Sequence, residues 1–375
     1  MVANNANVMI VVASTQVPPS IDSHFTLPLM QCSFPAKLNP DYERVREKCE
    51  PWILNLVQPK SRKFLSDCLL PRYVCRLFPE TADLPRLMTV TKFIAWLTLA
   101  DDVVDTAVPC AELVEHMVSH DGGPRSAVAT WAHSVLFELH EPRDREALCA
   151  EAAPIGLDSR RLALLDALRE LWKEMSGQLT PQARIRFISV MKDHLEAVCL
   201  HPTNNPTFVD HDRAIMSRSV KRYMGIRRVS SGFVLGFELL LYVLGLDDDP
   251  IHLHTLVHEL RNLVIDYMCM CNDMVSFRME TSAGDYFNLP CIVYNSGAAD
   301  TFQEALDIVA EMMEQADARC VQVVDAIRRN EELVAMEPKL EMYLVTMMSC
   351  MSGTLRWSFE TTRYGLKHQD GTPSG

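Results

Sequence analysis

What this 375-residue chain lacks narrows its chemistry before anything it contains. Its 12 cysteines include no CxxC pair, and the only close spacing is Cys269-x-Cys271, so neither a zinc ribbon nor a thioredoxin-type motif is available. A chain this long needs no disulfide staples, and the scatter from Cys32 to Cys350 predicts reduced, mostly buried thiols. Basic charge is also short: 36 Lys+Arg against 49 Asp+Glu leave a formal charge of −13 with no basic block. That balance argues against nucleic acid as a partner and against docking on anionic lipid. No Lys or Arg precedes Lys37, and the apolar stretch from Val8 to Ala13 is short for a secretory leader. The expected location is therefore the cytoplasm. The longest apolar run, Gly232 to Leu246, contains Glu238 and falls short of a bilayer span. The GxSxG, GxGxxG and Walker signatures are absent as well.

What is present reads as helix. Hydrophobic residues make up 48% and charged residues 23%, an ordinary globular balance with enough apolar material for a sizeable core. Apolar residues recur three and four apart over 41–57, 62–78, 86–104, 125–139, 158–176, 181–200, 213–244, 251–278, 301–330 and 338–364. Start signals include Asn39-Pro40-Asp41, Asp158-Ser159, Thr180-Pro181 and the capping box Thr301-x-x-Glu304. Strand alternation, heptad arrays and internal repeats do not occur. The expectation is one all-α domain, a helical bundle over 37–366. A flexible arm over 1–36 precedes it and a tail over 367–375 follows.

Two constellations could carry chemistry. Asp101-Asp102-Val103-Val104-Asp105 ends the greasy run that begins at Phe93, and Asp101 and Asp105, four apart, share one helical face. Carboxylates crowded at the end of an apolar helix resist desolvation unless a cation joins them, and hard oxygen donors of this kind suit Mg²⁺. The bland alternative is a solvated acidic helix end. In the second constellation, Asn272-Asp-Met-Val-Ser276-Phe-Arg-Met-Glu280, the residues Asn272, Ser276 and Glu280 step by four. They present an amide, a hydroxyl and a carboxylate along about 12 Å of helix. Here the bland alternative is an ordinary polar face. Two oxygen-rich edges, each ending a greasy helix, are what a metal-bridged diphosphate at the mouth of an apolar cavity requires.

DDVVD at 101–105 followed by NDMVSFRME at 272–280 resembles the class I terpene synthases, particularly fungal sesquiterpene cyclases. Trp357-Ser-Phe-Glu-Thr-Thr-Arg363-Tyr364 is similar to that family's C-terminal signature. Tyr223-Met-Gly-Ile-Arg227-Arg228-Val-Ser-Ser231-Gly232 is similar to its pyrophosphate-sensor segment. The resemblance covers roughly 37–366. It implies an all-α fold around a deep apolar cavity and a prenyl diphosphate substrate bound with three Mg²⁺ ions. Farnesyl diphosphate is the expected substrate, with ten- and twenty-carbon chains as alternatives. By the same resemblance Asp101 binds metal, supported by Asp102 and Asp105, while Asn272, Ser276 and Glu280 hold a further ion. Arg228 senses the diphosphate, Ser231 relays, the Gly232 carbonyl faces the first cation, and Arg363 and Tyr364 hydrogen-bond the diphosphate. A homodimer is the common assembly.

Phe93, Trp96, Tyr267, Phe233 and Trp357 are the aromatics nearest the motifs, and each either lines a pocket or packs the core. One departure stands out. Position 279, commonly basic in the family, is Met279, and Arg278 lies about 100° round the helix. Two alternatives compete. A chain-elongating prenyl transferase would carry a second aspartate-rich motif, which is absent. A helical His-Asp phosphohydrolase would have to use His120-Asp121 or Asp210-His211-Asp212, both of which look like turn residues.

Overall fold

The structure, a computed structural model, describes residues 25–105, 127–140, 159–199, 219–283 and 285–366. Among these, all regular structure is helical, and no helix is long and apolar enough to cross a membrane. In chain order the α-helices are α1 Tyr42–Asn55, α2 Arg62–Asp67, α3 Leu70–Leu77, α4 Leu84–Asp105 and α5 Ala127–His140. Next come α6 Ser159–Ser176, α7 Pro181–Cys199, α8 Val220–Ser230, α9 Phe233–Leu244 and α10 Thr255–Ser282. The last are α11 Leu289–Asn295, α12 Phe302–Arg328, α13 Glu331–Val334 and α14 Lys339–Glu360.

α10 is the axis of the bundle. Val257, Leu260, Val264, Tyr267, Met268 and Cys271 are among its buried residues, and it packs against α12 and α14, with α8 and α11 also beside it. α4 lies against α1, α3, α6 and α9. α9 is apolar nearly all round, as suits a helix buried over most of its surface. Its one charge, Glu238, is buried and offset by Arg186 of α7, whose Nε donates to Glu238 Oε2 at 2.6 Å. α12 begins with the expected capping box, Thr301 and Glu304 each satisfying the other's backbone N–H.

Three departures from the sequence reading have physical causes. The run 62–78 is two helices, broken where Leu69 takes a left-handed φ of 54°. The run 213–244, where described, is α8 and α9, broken at Gly232 with φ 74°. A Cβ there would stand 3.2 Å from Leu97 Cδ2 and 3.5 Å from His194 Cε1, so glycine answers both the φ and the space. The third concerns the expected arm, whose residues 25–36 are docked. Ser33 N donates to both carboxylate oxygens of Asp317 at 3.0 Å, Tyr267 Oη donates to Gln31 O at 2.6 Å, and Ser352 Oγ donates to Pro35 O at 3.2 Å. This strap crosses α10, α12 and α14. Residues 1–24 and the tail 367–375 lie outside the described residues, as do His120-Asp121 and Asp210-His211-Asp212. The nine cysteines whose side chains are described are all free, and all but Cys32 are buried.

Candidate active site

The aspartate cluster forms the last turn of α4. Asp101 is exposed there; the side chains of Asp102 and Asp105 lie outside the described ones. The negative charge of Asp101 acts on His194 of α7, a buried imidazole whose Nδ1 lies 3.1 Å from Val229 O. Burial holds the His194 pKa below its ordinary value even though Asp101 pulls it up. Since a carbonyl only accepts, a neutral His194 donates from Nδ1 and keeps Nε2 as an acceptor. The same ring is the neighbour that restricts Gly232. Leu97 of α4 and His194 of α7 thus both stand beside the α8–α9 break.

The other side of that break faces α10. Arg227 donates from Nη2 to Asn272 Oδ1 at 2.7 Å and from Nε to Asp273 Oδ1 at 2.9 Å. Burial opposes the Arg227 charge, but Asp273, itself 1% exposed, holds the guanidinium ionised. Asp273 also accepts from Tyr223 Oη at 2.5 Å and from Leu289 N at 3.1 Å, so this carboxylate is fully occupied as a support. Asn272 Nδ2 donates to Tyr364 Oη at 3.0 Å, which joins the C-terminal motif to the oxygen edge. Ser276 Oγ donates to Asn272 O at 2.8 Å and keeps its lone pairs. Glu280 Oε2 accepts from Asn288 Nδ2 at 2.7 Å, and Asn288 is fully buried with Oδ1 unpartnered. The structure therefore brings Asn272 together with Tyr364 and sets the α8–α9 break between this edge and Asp101.

Other expected site residues sit differently. Arg228 donates to Asp266 of α10, from Nε at 2.5 Å and from Nη2 at 2.6 Å. Ser231 Oγ donates to Arg228 O and accepts from Phe233 N, stabilising the break. The Gly232 carbonyl accepts from Gly236 N at 3.0 Å, the opening hydrogen bond of α9. Arg363 is half-buried, with its N–H on Thr361 Oγ1 at 3.2 Å. Phe93 is packed between Trp96 and Phe187 with no exposed surface, and Trp96 donates its indole N–H to Leu164 O at 2.8 Å. Both are core residues here. Tyr267 and Trp357 are buried with their polar atoms spent on Gln31 O and Cys68 O. Phe233 alone of the five aromatics stays half-buried. Arg278 is engaged away from the oxygen edge. Its guanidinium lies 4.7 Å from the Phe25 ring centroid and donates to Phe25 O, so it serves the strap.

Whether Mg²⁺ suits this edge can be tested on the donors. Burial first, then the charge of Asp273, push Glu280 up to about 7, against the pull of Arg227 and Asn288. A carboxyl in that setting is short of positive charge. With an amide oxygen and a hydroxyl alongside, a hard divalent cation fits. No cluster of three or more His, Cys, Asp or Glu forms a metal site by itself among the described residues, so the edge depends on its mixed donors. Tyr223, Arg227, Asp273, Asn288 and His194 were not apparent as site residues from the sequence. Tyr223, Arg227 and Asp273 lie within the motif segments, which was the available signal; Asn288 and His194 carried none.

The fold and motifs have known relatives. Residues 92–319 match the model described as terpene synthase family 2, C-terminal metal binding. The chain is 26% identical over 348 residues to microbial terpene synthase-like protein 13 of Selaginella moellendorffii, covering 91% of this chain and 87% of that one. It is 24% identical to sesquiterpene synthase Agr3 of Cyclocybe aegerita, covering 92% and 90%. The crystal structure of α-eudesmol synthase superposes with a TM-score of 0.63 at 17% identity, over 90% of this chain and 99% of that one, which places the two in the same fold. With the family match spanning more than half of the chain and both oxygen edges inside it, the protein belongs to terpene synthase family 2.

Proposed function

We propose that this protein is an Mg²⁺-dependent sesquiterpene synthase that ionises farnesyl diphosphate and closes the resulting cation into a sesquiterpene hydrocarbon or alcohol. The observation that carries the reading is the α8–α9 break. On one side it meets His194 and the charge of Asp101, and on the other Arg227 holds Asn272. The two oxygen edges, whose first residues Asp101 and Asn272 are 171 positions apart in the sequence, would then flank one feature of the backbone. The farnesyl half of the reading is supported by relatives named as sesquiterpene synthases.

In the reaction the allylic C–O bond breaks and its electron pair leaves with the diphosphate. A double bond of the chain then attacks the cation, and loss of a proton or capture of water ends the sequence. Mg²⁺, three ions by family resemblance, would neutralise the leaving group, held by Asp101, Asp102 and Asp105 on one side and by Asn272, Ser276 and Glu280 on the other. Arg228, Arg363 and Tyr364 would hold the diphosphate by charge-assisted hydrogen bonds. Ser231 and Gly232 fix the backbone turn beside it. A dry apolar cavity would shape the chain and exclude water, with the half-buried Leu97 and Phe233 at its wall and Phe93 and Trp96 packed behind. Cytoplasmic location and homodimer assembly belong to the same proposal.

Gas chromatography after incubation with Mg²⁺ and geranyl, farnesyl or geranylgeranyl diphosphate tests it, with a cyclic fifteen-carbon product expected from farnesyl diphosphate. Formation of a longer prenyl diphosphate when isopentenyl diphosphate is added would point to chain elongation instead. Asp101→Asn is expected to cut turnover roughly a hundredfold or more with the helical content unchanged. Full turnover in that variant at saturating Mg²⁺ would reject Asp101 as a ligand.

A further inference from the structure

Arg227 and Arg228 are neighbours on the last turn of α8, yet they reach in opposite directions along α10. Their carboxylate partners, Asp273 and Asp266, are seven residues apart, so both face α8 at points about 10 Å apart on the helix axis. Arg227 reaches forward to Asp273 and Asn272, at the start of the oxygen edge. Arg228 reaches back to Asp266, six residues before Asn272 and about 9 Å away along the axis. The burial of the pairs differs too. Asp273 is 1% exposed, whereas the Arg228 and Asp266 side chains are 38% and 18% exposed. Only Arg228 can change partner without opening the core.

We propose that Asp266 is a competing counter-ion for Arg228, holding the guanidinium turned back from the oxygen edge until a diphosphate takes it over. The inference rests on the prenyl diphosphate reading and deepens it by giving Asp266 a positioning role outside the metal donors. A guanidinium grips a carboxylate and a phosphate with the same two-pronged geometry, so the two anions compete for one set of donors. The diphosphate carries more charge, and a part-exposed ion pair in contact with water is weak enough to give way. Arg228 then adds to diphosphate affinity only the difference between its two partners. Asp266 lies about 120° round α10 from Asn272, so removing its charge leaves the oxygen edge intact.

Titration calorimetry with inorganic pyrophosphate in the presence of Mg²⁺ tests this. Asp266→Asn is expected to lower the pyrophosphate Kd roughly three- to tenfold, the scale of one part-exposed two-pronged pair. Asp266→Ser is a second neutral variant should the amide perturb folding, and Asp266→Glu should return the Kd toward that of the unaltered protein. Arg228→Gln should weaken binding, and in the Asp266→Asn/Arg228→Gln double variant the gain should vanish. A purely structural Asp266 would lower the thermal midpoint without tightening pyrophosphate. An unchanged or raised Kd in the neutral variants overturns the proposal while leaving the function standing. If the unaltered protein binds no pyrophosphate with Mg²⁺, the diphosphate reading falls and this proposal falls with it.

Discussion

At Glu280, burial and Asp273 raise the carboxyl from 4.5 to about 7. A carboxyl raised on folding stabilises the metal-free protein below its unfolded value, and that contribution is lost as the pH climbs through about 7. A divalent cation prefers the ionised form, so the two effects oppose each other. Mg²⁺ is therefore expected to raise the thermal midpoint more at pH 8 than at pH 6, and Glu280→Gln should flatten that difference. Scanning fluorimetry at the two pH values reads it directly, and an equal Mg²⁺ shift at both would remove Glu280 from the donor set. Residue chemistry of this kind was half legible in the sequence. The four-residue step of Asn272, Ser276 and Glu280 is visible as spacing. The supports behind it are not, because Tyr223, Arg227 and Asn288 reach the edge from other segments.

Among the described glycines, the tightest approach is where α3 meets α14. A Cβ on Gly353 would stand 2.7 Å from Arg76 O, backbone that has nowhere to go. Gly353→Ala is expected to destabilise by roughly 1–3 kcal/mol through overpacking, outweighing about 1 kcal/mol of added helix propensity. Urea unfolding measures it, and a stabilised variant would show that α3 moves more freely than this contact implies. Beside that contact, Glu360 accepts from Arg72, Arg76 and Arg356. Burial would raise its pKa, but hydrogen bonds from Arg76 and Arg72 outweigh that and hold it low. This clasp is in place above the usual glutamate range and is lost as the pH falls through the depressed value.

The long helices were legible because their period is sustained, and α1, α4, α6, α7, α10, α12 and α14 fall within a few residues of the expected runs. The α8–α9 break was not placed, although it falls at a glycine, because apolar spacing continues across it. α11, seven residues opening Leu289-Pro290, is too short for a period to declare itself.

Across the whole molecule, the strap was the least legible part. Residues 25–36 have no periodicity, and their anchors are largely backbone atoms meeting distant side chains. Asp317, accepting the Ser33 N–H on both oxygens and the Ser33 hydroxyl besides, is the strongest of these anchors. Asp317→Ala is expected to cost about 1–2 kcal/mol by removing the charge-assisted hydrogen bonds from the exposed Ser33, and to speed hydrogen exchange over 25–36. Unaltered exchange there would show that the apolar contacts hold the strap unaided.

The strap's partners also lie very late in the chain. Ser33 and Asp317 are separated by 284 positions, and Ser352 and Pro35 by 317. At a synthesis rate of about 5–20 residues per second, a strap leaving the ribosome waits tens of seconds before α12 and α14 emerge to receive it. α10 itself emerges late in that interval, and its greasy flanks then lack their cover until α12 and α14 follow. In the cell, the yield of usable protein should accordingly respond to holdase chaperones and to slower translation more than its equilibrium stability would suggest.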